Sequence, residues 1–193
     1  MLVKQTVNFG TALETSGDDE YIAGYASVFF DGTEQTQRYD GSLQLWERIA
    51  PSAFDRAIRE HQKVEARYNH SVDHVLGRTD LGSVALSVDN KGLRYRVKFD
   101  SSDPDHQKVA SKIKSGLIEG SSFMAQPKQW KFSKKGEDAV ITYTDFNLVD
   151  VGPVNHPGMK GTGQPILMSE LDDNLKDELL RWKKTQEILS KYK

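Results

Sequence analysis

A histidine, a serine and an aspartate occur in this chain in short runs whose residue types suit nucleophilic catalysis. His70 follows an asparagine, Ser122 lies in a Gly-Ser-Ser-Phe run, and Asp150 lies in the apolar run 148–154. A serine hydroxyl is a weak nucleophile until a neighbouring base takes its proton, and the base needs a partner that fixes its tautomer. The three residues therefore predict a charge-assisted serine nucleophile, provided that the fold brings them together.

The residues around each candidate indicate how its side chain is presented. Ser122 follows a glycine and another serine, so we expect a sharp turn that exposes the hydroxyl and leaves backbone N–H groups for an oxyanion. His70 follows a predicted strand over residues 64–68, at a loop edge. Asp150 lies among apolar residues, where a carboxylate is costly to bury without a partner such as an imidazole. Taken singly, each residue type more often has a structural role.

Other residues compete for these roles on the sequence alone. Ser121 is the alternative nucleophile, and only one of the two serines can serve, because neighbouring strand residues point to opposite faces. His74 is the alternative base. His70 and His74 also have the spacing of a helical zinc pair, but the glutamate of the HExxH pattern is absent, which disfavours a metal site. Arg78 follows a glycine and is either an oxyanion ligand or, as we favour, a surface arginine.

Composition and charge exclude several classes of function. The chain has 193 residues, 37% of them hydrophobic, which is enough for one core with appendages. A formal net charge of −2 gives no basic excess for nucleic acid or an anionic membrane. The absence of cysteine excludes disulfides, a thiolate nucleophile and a cysteine zinc site. With no long apolar run and no visible secretory signal, we expect a soluble, cytosolic protein without a cofactor.

The elements that must position the candidates are mainly strands. A polar loop is expected over residues 31–41, a helix capped by Asp103 follows the hairpin turn at 89–92, and residues 158–164 read as a linker. An amphipathic helix from Leu171 to Ile188 follows, whose apolar stripe favours packing on the core over a partner-binding arm, a dimer element or a segment that is later cleaved off. The pattern indicates an α+β domain. Strands are predicted over residues 21–28, 45–49, 64–68, 83–88, 93–99, 142–148 and 149–154.

Several runs, taken in order, resemble the prohead maturation proteases of tailed bacteriophages, serine peptidases related in fold to the herpesvirus assembly proteases. The resemblance covers residues 21–161 and implies a mainly antiparallel, β-barrel-like core with surrounding helices and a C-terminal helix. It divides the chain into an N-terminal extension (1–20), a protease domain (21–161) and a linker with the C-terminal helix (162–193). The matching runs are 24–29, 47–54, 69–70, 74–79, 91–95, 120–123 and 148–154.

The resemblance also implies roles for the three candidates. His70 is the general base, Ser122 is the nucleophile, and Asp150 orients the histidine. Asp150 stands where the family more often has glutamate, and the shorter side chain requires a closer approach of the backbone. His156 is the alternative third member, because the herpesvirus relatives use a second histidine in that role.

The function implied by the resemblance is that of a serine endopeptidase of phage prohead maturation. It would cleave scaffold-like segments of the major capsid protein and the chain itself, inside the assembling procapsid in the host cytoplasm. The expected partners are the major capsid protein, other copies of the chain in a homo-oligomer and, as a further candidate, the portal protein; neither nucleic acid nor a membrane is expected. The alternative is a catalytically silent capsid-assembly or scaffolding protein that keeps the protease fold.

Overall fold

The computed structural model describes residues 11–16, 19–156 and 173–191. Within them the chain is α+β, with ten strands in two sheets and three α-helices. The helices are α1 (Asp55–Arg59), α2 (Pro104–Lys114) and α3 (Asp173–Ser190). The strands are β1 (Ala12–Ser16), β2 (Asp19–Val28), β3 (Gln37–Asp40), β4 (Leu45–Ile49), β5 (Glu65–Arg67), β6 (Val75–Arg78), β7 (Val84–Val88), β8 (Gly92–Lys98), β9 (Gly120–Lys135) and β10 (Asp138–Val154).

The first sheet is antiparallel throughout, with the strand order β1-β2-β8-β7. The predicted hairpin between β7 and β8 is confirmed, and Asp89 Oδ1 closes it by accepting from the N–H groups of Lys91 (2.8 Å) and Gly92 (3.1 Å). β1 lies in the segment that the sequence suggested as an extension, and it forms the edge of this sheet. The division of the chain into domains remains a prediction.

The second sheet is built around the long strand β10. β9 runs antiparallel along one edge of β10, from Asp138 to Val154. The other edge carries two parallel strands, β4 beside the first half of β10 and β5 beside the second half. β3 continues the sheet beyond β4, and β6 continues it beyond β5. β5 thus delivers the segment that leads to His70 next to Asp150, which is in register with Glu65.

The structure corrects four expectations. Within the described residues the strands form two sheets and no closed barrel. The expected loop over residues 31–41 contains a 3-10 turn (Glu34–Thr36) and β3. The two strands expected over 142–154 are one strand, β10. The serine run is the start of β9 rather than a turn, and the Ser122 hydroxyl is buried rather than exposed. Neither β3 nor β9 was predicted, because their polar sequences lack the apolar alternation that is typical of a strand. Both segments are strands because they pair with β4 and β10.

An aromatic cluster joins α1 to the second sheet and anchors the serine run. The Phe54 ring lies 5.3 Å from the Phe123 ring, at right angles, and 5.5 Å from that of Phe146. All three side chains are buried. Edge-to-face and offset pairs of this kind stabilise a core beyond the area they bury, by about 0.5–1.5 kcal/mol each. Phe123 therefore fixes the start of β9, and with it the neighbouring Ser122.

The two longer helices pack on the sheets in different ways. Asp103 caps α2 as predicted, since its Oδ1 accepts from the Asp105 N–H at 2.7 Å. α3 buries Leu175 and Leu179, and its Trp182 ring lies 5.7 Å from Phe132 of β9. The C-terminal helix therefore packs on the core, whereas the expected linker (158–164) lies outside the described residues. Within those residues, no helix has both the length and the apolar character that a membrane-spanning segment requires.

Candidate active site

A tight turn after β5 carries His70 onto the second sheet. In this 3-10 turn (Tyr68–His70), Asn69 and His70 both have left-handed backbone angles, with φ of 52° and 58°. Such angles are unfavourable for residues other than glycine and persist where the surroundings hold them. Asn155, directly after β10, holds the turn with two hydrogen bonds: its N–H donates to Asn69 Oδ1 (2.9 Å), and its Oδ1 accepts from the Tyr68 hydroxyl (2.7 Å).

The turn brings the His70 imidazole onto the carboxylate of Asp150. Nδ1 of His70 lies 2.6 Å from Oδ1 of Asp150. Asp150 is fully buried, and the His70 side chain is 8% exposed. Because an ionised carboxylate only accepts hydrogen bonds, the proton of the neutral ring lies on Nδ1. Nε2 is therefore free to accept a proton, as the base of a serine triad must be.

Ser122 lies on the same face of the second sheet as Asp150. Ser122 of β9 is directly opposite Gly152 of β10, and Asp150 is two residues from Gly152 on the same strand. Opposed residues share a face, and residues two apart on a strand share it as well. Diagonal neighbours of this kind are about 7–8 Å apart, a gap that an imidazole bonded to one of them can span. The sheet thus brings the three predicted residues together.

The two atoms that would exchange a proton in catalysis both lack a partner. His70 Nε2 and Ser122 Oγ are buried and form no hydrogen bond, either with each other or with another group. Only two other buried side-chain atoms of the described residues share this condition, one in Ser27 and one in Arg96. Buried polar atoms without partners are rare, and each calls for an explanation such as a catalytic role. A base and a nucleophile that wait for a substrate would account for the pair formed by His70 Nε2 and Ser122 Oγ.

Gly152 allows the turn to lie this close to β10. A Cβ atom at Gly152 would lie 2.0 Å from the carbonyl oxygen of Arg67, which is part of the backbone and cannot rotate away. The close approach that the short Asp150 side chain requires is therefore provided by the glycine two residues further along β10.

Replacing Gly152 with alanine should destabilise the protein and displace the His70 turn. We expect a loss of about 1–3 kcal/mol in the free energy of unfolding, because the added methyl overlaps the Arg67 backbone. Chemical denaturation measures this loss. Gly41→Ala is the matched control, since its Cβ would meet Tyr39 at an ordinary 3.6 Å. Equal stability of the two variants would contradict the close approach of the Arg67 backbone to Gly152.

The rival residues lie elsewhere. Ser121 faces the first sheet, where its Oγ is 2.9 Å from the Tyr95 hydroxyl and 2.8 Å from Oγ1 of Thr11. His74 pairs with Asp105 of α2 at 3.0 Å. The two histidines of the possible zinc pair therefore contact different carboxylates.

The remaining two candidates face the surface. His156 is 84% exposed, and its nearest acidic partner is Glu119, at 3.9 Å. Arg78 forms a two-pronged pair with Asp80, through Nε at 2.8 Å and Nη2 at 2.7 Å. In this structure neither one contacts the His70–Asp150 pair.

One residue of the site escaped the sequence analysis. Nη1 of Arg67 lies 3.3 Å from Oδ2 of Asp150, the oxygen that His70 leaves free, and Nη2 lies 2.7 Å from Glu65. The sequence does show two opposite charges, Glu65 and Arg67, on the short strand before His70. Their relation to the site could be recognised only once β5 was known to lie beside Asp150.

Comparison with protein families gives a match that covers most of the chain. A model described as caudovirus prohead serine protease matches residues 9–176, a range that includes all three residues of the site. The chain belongs to the caudovirus prohead serine protease family. Membership of the prohead protease family indicates a serine peptidase with a role in phage capsid maturation, located in the assembling procapsid.

Comparisons with the curated proteins and with the solved structures give no significant match. The expected likeness to the herpesvirus assembly proteases therefore remains a prediction, while the prohead protease family is established for the chain.

Proposed function

We propose that the chain is a serine endopeptidase in which Ser122 is the nucleophile, His70 the general base and Asp150 the group that orients the histidine. The observation that carries this proposal is the 2.6 Å bond between His70 Nδ1 and Asp150 Oδ1, with an unpartnered His70 Nε2 and an unpartnered Ser122 Oγ on the same sheet face. Family membership supports the same chemistry independently.

The reaction proceeds through an acyl-enzyme. Ser122 Oγ attacks the scissile carbonyl carbon while His70 Nε2 takes the hydroxyl proton, and Asp150 stabilises the imidazolium that forms. The proton then passes to the leaving amine as the C–N bond breaks. Water then hydrolyses the acyl-enzyme: His70 takes a proton from the water, and the hydroxyl joins the carbonyl carbon. The ester bond to Ser122 Oγ breaks, the acid product leaves, and His70 returns the proton to Ser122.

The substrates we propose are scaffold-like segments of the major capsid protein and the chain itself. These assignments rest on the family. A protease enclosed with its substrates inside a procapsid meets both at high local concentration, which favours cleavage of capsid protein and of neighbouring copies in a homo-oligomer.

A fluorophosphonate probe tests the proposal, because it reacts with serines activated by a base: the serine oxygen attacks the phosphorus, fluoride leaves, and the serine is phosphonylated. We expect a single covalent adduct, which mass spectrometry maps to Ser122. The labelling should be run on the full chain alone and co-expressed with its cognate major capsid protein. Absence of an adduct in both states would contradict the proposal.

The alternative function, a silent assembly or scaffolding protein, has one observation in its favour. Ser122 is fully buried, so a substrate cannot reach its hydroxyl without a rearrangement. Labelling that appears only in the co-expressed sample would show that assembly causes this rearrangement. Labelling in neither sample would favour the scaffolding protein.

A further inference from the structure

The Arg67 guanidinium joins two carboxylates, one of which belongs to the proposed triad. Its Nη1 contacts Oδ2 of Asp150, while Nε (2.8 Å) and Nη2 (2.7 Å) both contact Oε2 of Glu65. The planar guanidinium is fixed by three contacts on two acids. A planar fork of donors suits this task, whereas the point charge of a lysine does not.

The burial of Asp150 makes this contact important. A carboxylate without solvent exposure is costly unless a cation or hydrogen-bond donors compensate for the lost water. Between turnovers the neutral His70 ring supplies one donor, to Oδ1. Arg67 supplies the second donor, to Oδ2, and the only permanent positive charge in contact with Asp150 among the described residues. With both oxygens bonded, the carboxylate cannot rotate away from His70.

Glu65 completes the electrostatic arrangement. If Arg67 alone faced Asp150, the two charges would cancel, and Asp150 would stabilise an imidazolium less well. Glu65 restores one negative charge, so that the group of Glu65, Arg67 and Asp150 carries −1 in total. When His70 takes the proton of Ser122, its positive charge neutralises the group. This arrangement favours the charge that develops in the transition state.

We propose that Arg67 is a positioning residue, held by Glu65, that fixes the Asp150 carboxylate so that one oxygen always faces His70. This inference rests on the proposed function, because it assigns Arg67 a part in the same triad. Arg67 touches no reacting atom and acts through Asp150 alone.

Two other arginine–aspartate pairs of the chain differ from this contact. The pairs Arg56–Asp145 and Arg78–Asp80 involve carboxylates that keep some solvent exposure, and surface pairs of this kind contribute little to stability. The carboxylate that Arg67 contacts has none, and it forms the bond to the catalytic histidine.

The test compares Arg67→Met, which removes the charge, with Arg67→Lys, which keeps the charge but not the fork. Both the maximal rate and the half-saturating probe concentration of fluorophosphonate labelling are measured on the full chain, in the assembly state in which the wild type is labelled. We expect Arg67→Met to lower the maximal rate about 10- to 100-fold without changing the half-saturating concentration. Arg67→Lys should recover part of the loss. Arg59→Met, at a side chain that is 69% exposed, is the matched control.

A double-mutant cycle that combines Arg67→Met with Asp150→Asn distinguishes a positioning role of Arg67 from a general contribution to stability. If Arg67 acts through Asp150, then Arg67→Met should change the labelling rate of an Asp150→Asn chain by less than about threefold. The same fold loss in both backgrounds would overturn the inference, as would a wild-type rate for Arg67→Met. Should Arg67→Met fail to fold, Arg67→Lys decides in the same way: a lower maximal rate supports positioning, and an unchanged rate overturns it.

Different results would contradict the role of Arg67 and the proposed function. If the wild-type chain is not labelled in either assembly state, the proposed triad is contradicted, and with it any role of Arg67 in that triad. A wild-type chain that is labelled at Ser122, together with an Arg67→Met chain labelled equally fast, leaves the triad intact and removes only Arg67.

Discussion

Replacing Ser122 with alanine should reduce peptide cleavage at least about 10⁴-fold and abolish fluorophosphonate labelling. The substitution removes the proposed nucleophile, and a water molecule in its place would lack the fixed position of the Ser122 oxygen. The fold should be unaffected. Because the buried Oγ has no hydrogen-bond partner, its removal should leave the free energy of unfolding unchanged or raise it slightly. Labelling and cleavage assays, with a thermal melt of each variant, measure these effects.

Ser121→Ala is the matched control and should show the opposite pattern. Its Oγ makes hydrogen bonds to Tyr95 and Thr11, so its loss should lower stability by about 1 kcal/mol. Because Ser121 faces the first sheet, the labelling rate should stay close to that of the wild type. Retained labelling in Ser122→Ala would contradict Ser122 as the nucleophile. Lost labelling in a folded Ser121→Ala would assign that role to Ser121.

Replacing Asp150 with asparagine should lower the rate at which Ser122 attacks an electrophile by about 10⁴-fold. The amide keeps the size of the carboxylate but can offer its N–H₂ group to His70, which favours the tautomer with the proton on Nε2. That nitrogen then cannot accept the proton of Ser122. The substitution also removes the charge that stabilises the imidazolium. The rate of fluorophosphonate labelling measures the effect.

The chain contains a second histidine–aspartate pair that serves as the control. His74 and Asp105 lie 3.0 Å apart, at a site that does not contact Ser122. Asp105→Asn changes the same chemical group as Asp150→Asn and should leave the labelling rate unchanged. A similar loss in both variants would mean that the effect comes from the fold. A wild-type rate in a folded Asp150→Asn chain would remove Asp150 from the site.

Strands with clear side-chain alternation were predictable from the sequence. In β8, Leu93, Tyr95 and Val97 alternate with basic residues, and the structure buries the first set. β9 could not be predicted in this way. Its residues beyond Phe123 are rich in lysine and glutamine, and they form a strand because β10 offers a continuous edge for pairing. Local propensity cannot report a partner strand that is distant in sequence.

The sequence by itself determined the family and the residue types of the site, because short runs around a histidine, a serine and a carboxylate carry that information locally. Through the family resemblance it favoured Ser122 and His70, but it left the third member open between Asp150 and His156, and it did not reveal Arg67. Only the tertiary structure shows that Asp150, and not His156, contacts His70. Strand alternation turns Ser121 to one sheet and Ser122 to the face of Asp150, while the parallel pairing of β5 with β10 brings Arg67 and His70 to that carboxylate. The physical reason is that contacts between residues about 80 positions apart depend on strand register, and register is set by the packing of the whole sheet.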